Sequence, residues 1–161
     1  MLKISKMPPP FPKKNVKVLL TQELNTRGEF RRREMYRAIL QAIHPVLLYS
    51  PKNVGIFCAS YEVVNGLKSH GFEELAKVCN KHPFLETPGL SADENDILIE
   101  KFKDCIHDVR YTGGVLLGVC GGRNSEGEDF PGDYMNAVIV VGVPFERPTP
   151  SGNAKIQFYD N

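Results

Sequence analysis

Apolar residues along this chain keep to two rhythms, and the changes between them mark out its elements. From Arg31 the helical rhythm holds. Met35, Ala38, Ile39, Ala42, Ile43, Val46 and Leu47 recur at intervals of three and four, which puts them on one face of an α-helix. Pro45 lies inside that stretch, lacks an amide hydrogen and crowds the preceding turn, so a kink or a restart is expected there. NVGIFCA at 53–59 is a continuous apolar run suited to a buried strand. Ser60 then caps a short helix, YEVVNGLKSH, which Gly71 ends. Residues 72–90 have no clear rhythm. Within them Pro83 and Pro88 flank a short strand candidate, FLET.

Ser91 to Glu94 has the form of a capping box and opens a second amphipathic helix, with Leu98, Phe102, Cys105 and Ile106 inward. The acidic run DEND at 93–96 is therefore read as a helix start and not as a magnesium-binding acidic box, since no apolar strand precedes it. GVLLGVC at 114–120 and AVIVVGV at 137–143 are β-branched, continuous runs of the kind found in strands covered on both faces. VKVLL at 16–20 is a further short strand candidate, and residues 1–15, with PPPFP, read as an extended linker. Strands alternating with helices predict a doubly wound α/β domain over 16–161, an open parallel sheet with helices on both faces.

Composition changes this picture little. The chain has 161 residues, 42% of them hydrophobic, enough for one domain with its own core, and a formal charge of +1 that selects no partner. Local charge says more: Arg27 and Arg31 to Arg33, with Lys13 and Lys14 before them, form either a solvated helix start or a phosphate-contacting patch. Four cysteines, Cys58, Cys79, Cys105 and Cys120, are spread out with no C-x-x-C pair, which argues against a zinc site or an iron–sulfur cluster held by this chain. Cys58 and Cys120 read as small buried hydrophobes. The cysteine usage, with no signal peptide and no membrane-spanning run, points to an intracellular protein, cytoplasmic in a prokaryote or nuclear in a eukaryote. His44, His70, His82 and His107 form no ligand or triad pattern and are expected to be structural, with His82 in a loop. Tyr111 and Tyr134 suit packing or base stacking.

In a sheet of this kind ligands bind outside the carboxyl ends of the strands. Two segments are expected there, CASYE after the 53–59 strand and GGRNSEGEDF after the 114–120 strand. The second has the G-x-x-x-x-G spacing of a phosphate loop at Gly122 and Gly127, but Glu128 and Asp129 stand where Lys and Ser or Thr should follow. Gly121 and Gly122 would leave amides free for phosphate oxygens, Arg123 and Ser125 would add donors, and Gly127 would allow close approach. Asp129 could accept from a ribose hydroxyl. A glycine-rich surface turn explains the same spacing equally well.

The loop gains meaning from its company. Ser125 to Phe130 reads S-E-G-E-D-F; Val143, Pro144 and Phe145 follow the next strand; Ser60 and Tyr61 end an apolar strand; and TRGEFRRREMYR carries Thr26, Arg27, Arg33 and Tyr36. Together these segments resemble the second motor domain of XPD-type DNA helicases, superfamily-two enzymes related to DinG, from about residue 8 to the end. The resemblance implies a RecA-like domain with a P-loop NTPase-like fold that lacks the P-loop. It implies ATP between this domain and a first motor domain, with single-stranded DNA crossing both. Carried over, Gly127 and Asp129 fall on the ATP side, and Ser60, Tyr61, Gly122, Arg123 and Ser125 on the DNA side, with Arg27 and Arg33 as further DNA contacts.

The resemblance also assigns what is missing here. No Walker lysine is present, and Q-x-x-G-R-x-x-R should follow position 161. The Mg²⁺ ligands and a 4Fe-4S cluster belong in the first motor domain. The expectation is thus part of an ATP-dependent, 5′-to-3′ DNA helicase of repair, including nucleotide excision repair, inactive in hydrolysis by itself. A stand-alone nucleic-acid- or protein-binding module is the alternative. A dinucleotide enzyme is disfavoured, because no G-x-G-x-x-G follows the first strand.

Overall fold

The structure, a computed structural model, describes residues 17–21, 24–26 and 31–144. Four strands form one all-parallel sheet: β1 (Val54–Cys58), β2 (Lys81–Leu85), β3 (Gly113–Val119) and β4 (Ala137–Val141), in the spatial order β2-β3-β1-β4. The helices are α1 (Arg33–Tyr49), α2 (Tyr61–Ser69), α3 (Phe72–Val78), α4 (Ala92–Asp104) and the single turn α5 (Arg123–Glu126). This is the expected α/β architecture, and the strand pleat explains its two cores. Val54, Ile56 and Cys58 of β1, with Val115 and Leu117 of β3, pack against α1, α2 and α3. Phe57 and Leu116 point to the opposite face and pack against Ile99 and Phe102 of α4. Every residue of β1 and β3 is buried, because these strands lie between neighbours and under both layers.

Several elements follow their local chemistry closely. The Ser91–Glu94 capping box is formed in both directions, with the Glu94 amide donating to Ser91 Oγ and the Ser91 amide donating to the Glu94 carboxylate. Phe102 and Cys105 are buried as expected and Leu98 and Ile106 half-buried, while Ile99 joins them inside. Gly71, at φ 110°, ends α2 in the left-handed region and at once opens α3, a helix the rhythm at 72–90 did not reveal. Arg31 leaves the basic run to pair with Glu62 of α2 and to donate to the Thr26 carbonyl.

Other expectations need correction. Of the two outcomes expected at Pro45, the restart does not occur, since the first helix runs unbroken from Arg33 to Tyr49. Pro45 itself is exposed, while Ile43 and Leu47 on either side of it are buried in the core and hold both turns in place. The second strand is Lys81–Leu85 and not FLET, so Pro83 and His82 lie within it. Proline is tolerated there because β2 is an edge strand, with an unpaired side for the missing amide. Residues 17–20 form no strand; Val18, Leu19 and Leu20 are exposed, with no neighbouring strand to pair with. β4 is not covered on both faces, because Val138 and Val140 are 57% and 59% exposed. The 1–15 segment lies outside the described residues. No helix among the described residues is long and apolar enough to cross a membrane.

Buried polar side chains fix the amino end of the sheet. Asn53, fully buried before β1, donates to the Phe102 carbonyl at 2.6 Å and accepts from the Gly114 amide at 2.7 Å, joining α4 to β3. Lys81, equally buried at the start of β2, donates to the carbonyls of Ser50 and Lys52 at 2.7 and 2.5 Å. Burial holds its pKa below the usual lysine value. Asn53→Ala strips two buried main-chain groups of their partner, so it should lower unfolding stability by about 2–4 kcal/mol in urea denaturation.

Candidate functional site

β1 and β3 are hydrogen-bonded neighbours, and the Cys120 amide still donates to the Cys58 carbonyl at 2.8 Å past their ends. The loops after these strands therefore leave the carboxyl rim of the sheet side by side. Ser60 and Tyr61 begin one of them, and Gly121 to Phe130 form the other. β2 brings a third segment to the same rim, where the Glu86 amide donates to the Leu117 carbonyl at 2.9 Å.

Glu86 is the residue that joins them. Its side chain is buried, with Glu86 only 6% exposed, and each carboxylate oxygen has a partner. Tyr61 donates its hydroxyl to Oε1 at 2.8 Å, and Asn124 donates Nδ2 to Oε2 at 3.0 Å. Asn124 is locked in turn by a reciprocal amide pair with Asn95 of α4, at 2.8 and 2.9 Å. Two glycines make room for the carboxylate. A Cβ on Gly118 would lie 2.5 Å from Oε2, and one on Gly122 would lie 2.7 Å from Oε1. Desolvation first, and then the hydrogen bond to Glu86 with its negative charge, push the Tyr61 phenol up to about 12.

The glycine-rich loop is more ordered than its composition suggests. Gly121 turns at φ 74°, and Gly122 caps the single turn of α5. The Gly122 amide donates to the Val119 carbonyl, so it is not free for a phosphate, contrary to the expectation for that residue. Gly127 closes the turn with its amide 2.7 Å from the Arg123 carbonyl. A Cβ there would sit 2.9 Å from that same oxygen, an internal reason for glycine at this position.

Beyond the turn the two carboxylates separate in role. Glu128 is turned inward and pairs with Lys103 of α4 at 2.9 Å. Asp129 is exposed, and Phe130 returns to pack edge-on against Phe102, with centroids 5.9 Å apart. A groove of about 420 Å³ runs between this loop and β4, with Ser125, Glu126 and Glu128 on one wall and Met135, Val138 and Val140 on the other.

The structure gathers most of the sequence-derived candidates on this one rim. Gly122, Arg123, Ser125, Gly127 and Asp129 lie in the loop after β3, with Arg123 and Asp129 facing solvent. Ser125 donates its hydroxyl to the Gly122 carbonyl at 3.0 Å. Ser60 holds the N-cap position of α2, but its hydroxyl makes no capping bond; it is buried with no partner among the described residues. Tyr61 is engaged with Glu86. Arg33 is exposed at the start of α1, and Arg27 lies outside the described residues. Thr26 reaches the rim beside Gly142, where its Oγ1 lies 2.5 Å from a would-be Cβ. Tyr36 is buried in the core and stacked on His70 at 4.8 Å. Sequence reasoning missed Glu86, Asn95 and Asn124. An acidic residue directly after the apolar pair Phe84-Leu85 was the available signal for the first. Nothing in the sequence marked the asparagine pair.

A parallel sheet with helices on both faces, and two adjacent loops presented at its carboxyl rim, is the architecture of a RecA-like α/β domain. Residues 43–161 match the helicase C-terminal domain family, and the chain belongs to that family. A relative from Meyerozyma guilliermondii, named ATP-dependent DNA helicase CHL1, is 27% identical over 143 residues, covering 83% of this chain and 17% of that protein. The probable ATP-dependent helicase MJ0942 of Methanocaldococcus jannaschii is 27% identical over 149 residues, covering 88% of this chain and 20% of its own length. The chain thus spans about a fifth of these relatives. A solved XPD helicase shares the fold, with a TM-score of 0.57 and 16% identity over 86% of this chain and 22% of that one.

Two outcomes test the rim. Gly118→Ala drives a methyl into the buried Glu86 carboxylate and should cost about 1–3 kcal/mol of stability by urea denaturation. The folded-state pKa of Tyr61 is raised, so its contribution is fully present below the ordinary value of 10 and lost as pH rises through about 12. The stability difference between wild type and Tyr61→Phe should therefore be constant up to pH 9 and shrink above about pH 10, as read by denaturation at fixed pH values.

Proposed function

We propose that this domain is the second motor domain of an ATP-dependent DNA helicase of XPD type. It would close over ATP held between it and a first motor domain, and guide single-stranded DNA 5′ to 3′, in the service of DNA repair. One observation carries the reading: the loops after β1 and β3 are fastened together at the carboxyl rim by Glu86, with Asp129 and Arg123 left facing outward. Family membership and relatives named as ATP-dependent helicases support it.

The chemistry of the rim suits a division of labour. Asp129 is an exposed acceptor, which fits a ribose hydroxyl better than a triphosphate. Gly127 would lie next to it on the ATP side. Arg123 and Arg33 are exposed cations fitted to a phosphate backbone, and Ser125 is a further polar contact on the same loop as Arg123, whereas the Ser60 hydroxyl is buried and would need the start of α2 to shift before it could reach DNA. Tyr61 would serve from its anchored ring, and Gly122, with its amide already bound to the Val119 carbonyl, only by keeping the loop free of a side chain there; Arg27 is proposed on resemblance alone. By resemblance, the Mg²⁺ ligands and any 4Fe-4S cluster would belong to the first motor domain.

The test uses a polypeptide carrying both motor domains. Asp129→Ala should lower ATP turnover at limiting ATP by about tenfold or more, the loss of one charge-assisted hydrogen bond, with DNA affinity unchanged. Arg123→Ala should weaken single-stranded DNA binding and reduce its salt slope by about 0.7. Unchanged turnover in the first variant removes Asp129 from the nucleotide site. A 161-residue chain that binds single-stranded DNA fully by itself favours the stand-alone module instead.

A further inference from the structure

We infer that Lys103 is a positioning residue for Asp129, holding the residues on both sides of it against α4 so that its carboxylate is presented outward. The inference rests on the proposed role of Asp129 at the ATP side. Among the described residues no backbone hydrogen bond holds Glu128, Asp129 or Phe130, so their side chains must locate this stretch. Lys103 touches both neighbours of Asp129. Its Nζ donates to Glu128 Oε2 at 2.9 Å and lies 5.2 Å from the centre of the Phe130 ring. Phe130 is fixed from below by Phe102, one residue before Lys103 on the same helix.

With Glu128 and Phe130 both drawn toward α4, Asp129 between them is left facing solvent, as its exposure shows. A single anchor would let the segment swivel about it; two anchors on one side chain fix the direction of the residue between. The pair also disposes of a charge problem. With Glu128 neutralised by Lys103, one unpaired carboxylate of the two faces the proposed nucleotide. The ion pair is shielded, with side chains 26% and 23% exposed, and it starts from the last turn of α4, where a cation is favoured.

The experiment compares Lys103→Met, Lys103→Arg, the reversed pair Lys103→Glu with Glu128→Lys, and Asp129→Ala, each in the polypeptide with both motor domains. Lys103→Met should raise the KM for ATP by about two- to fivefold with kcat and single-stranded DNA affinity unchanged. Lys103→Arg should return KM to near the wild-type value, and the reversed pair, which restores the ion pair but not the cation over Phe130, should return it in part, a rescue that general loss of packing would not give. If Asp129→Ala raises KM and Lys103→Met does not, the positioning role is overturned and the reading of Asp129 stands. If the reversed pair stays as impaired as Lys103→Met, the ion pair is not the device and the inference fails. If Asp129→Ala itself leaves ATP kinetics unchanged, the reading of Asp129 fails and the inference with it.

Discussion

A carboxylate buried under the rim of the sheet, that of Glu86, sets the geometry on which the rest of the site depends. A carboxyl group out of water is costly unless its oxygens are engaged, and here the phenol of Tyr61 and the amide of Asn124 engage one oxygen each from two different loops. The demand works in both directions. Because Glu86 needs these partners, the loop after β1 and the loop after β3 cannot drift apart without leaving a buried oxygen unsatisfied. Because the carboxylate lies directly over β3, residues 118 and 122 have no room for a side chain. Gly122, which looked like part of a phosphate cradle in the sequence, is with Gly118 the lining of a carboxylate socket.

The opposite end of the sheet obeys the same logic with other groups. Asn53 and Lys81 tie the starts of β1, β2 and β3 together through main-chain carbonyls and one amide, so the strand register is fixed at both ends. Between these polar clamps lie the two apolar layers, mainly aliphatic beneath α1 to α3 and richer in aromatic rings beneath α4. The aromatic layer reaches the surface at Phe130, where packing passes directly into the loop that presents Asp129. Core and site are thus parts of one continuous contact chain from Phe84 through Phe102 to Phe130.

Much of the fold was legible because its signals are local. The periodicity of α1, the capping box of α4 and the unbroken apolar runs of β1 and β3 each declare themselves within a dozen residues. β2 and α3 were hidden for definite reasons: Pro83 reads as a strand breaker unless the strand is known to be an edge, and α3 is two turns long and shares Gly71 with the helix before it. The site was half legible. Spacing and resemblance located the two loops, but the partners that hold them are far apart in sequence: Tyr61 meets Glu86, and Asn95 meets Asn124. Such pairings exist only once the sheet has formed, so no window along the chain displays them.

The two margins of the sheet are unlike. At β2, Pro83 removes an amide from the outer side and denies a newcomer one of its bonds. At β4, by contrast, no described strand pairs with the outer side, and Val138 and Val140 stand bare on the face beside it. The architecture therefore has a direction of growth: further secondary structure, or a neighbouring chain, can be accepted along β4 far more readily than along β2. Anything accepted there arrives next to the groove that the β3 loop shares with Val138 and Val140. Completing the sheet and shaping that groove are then a single event.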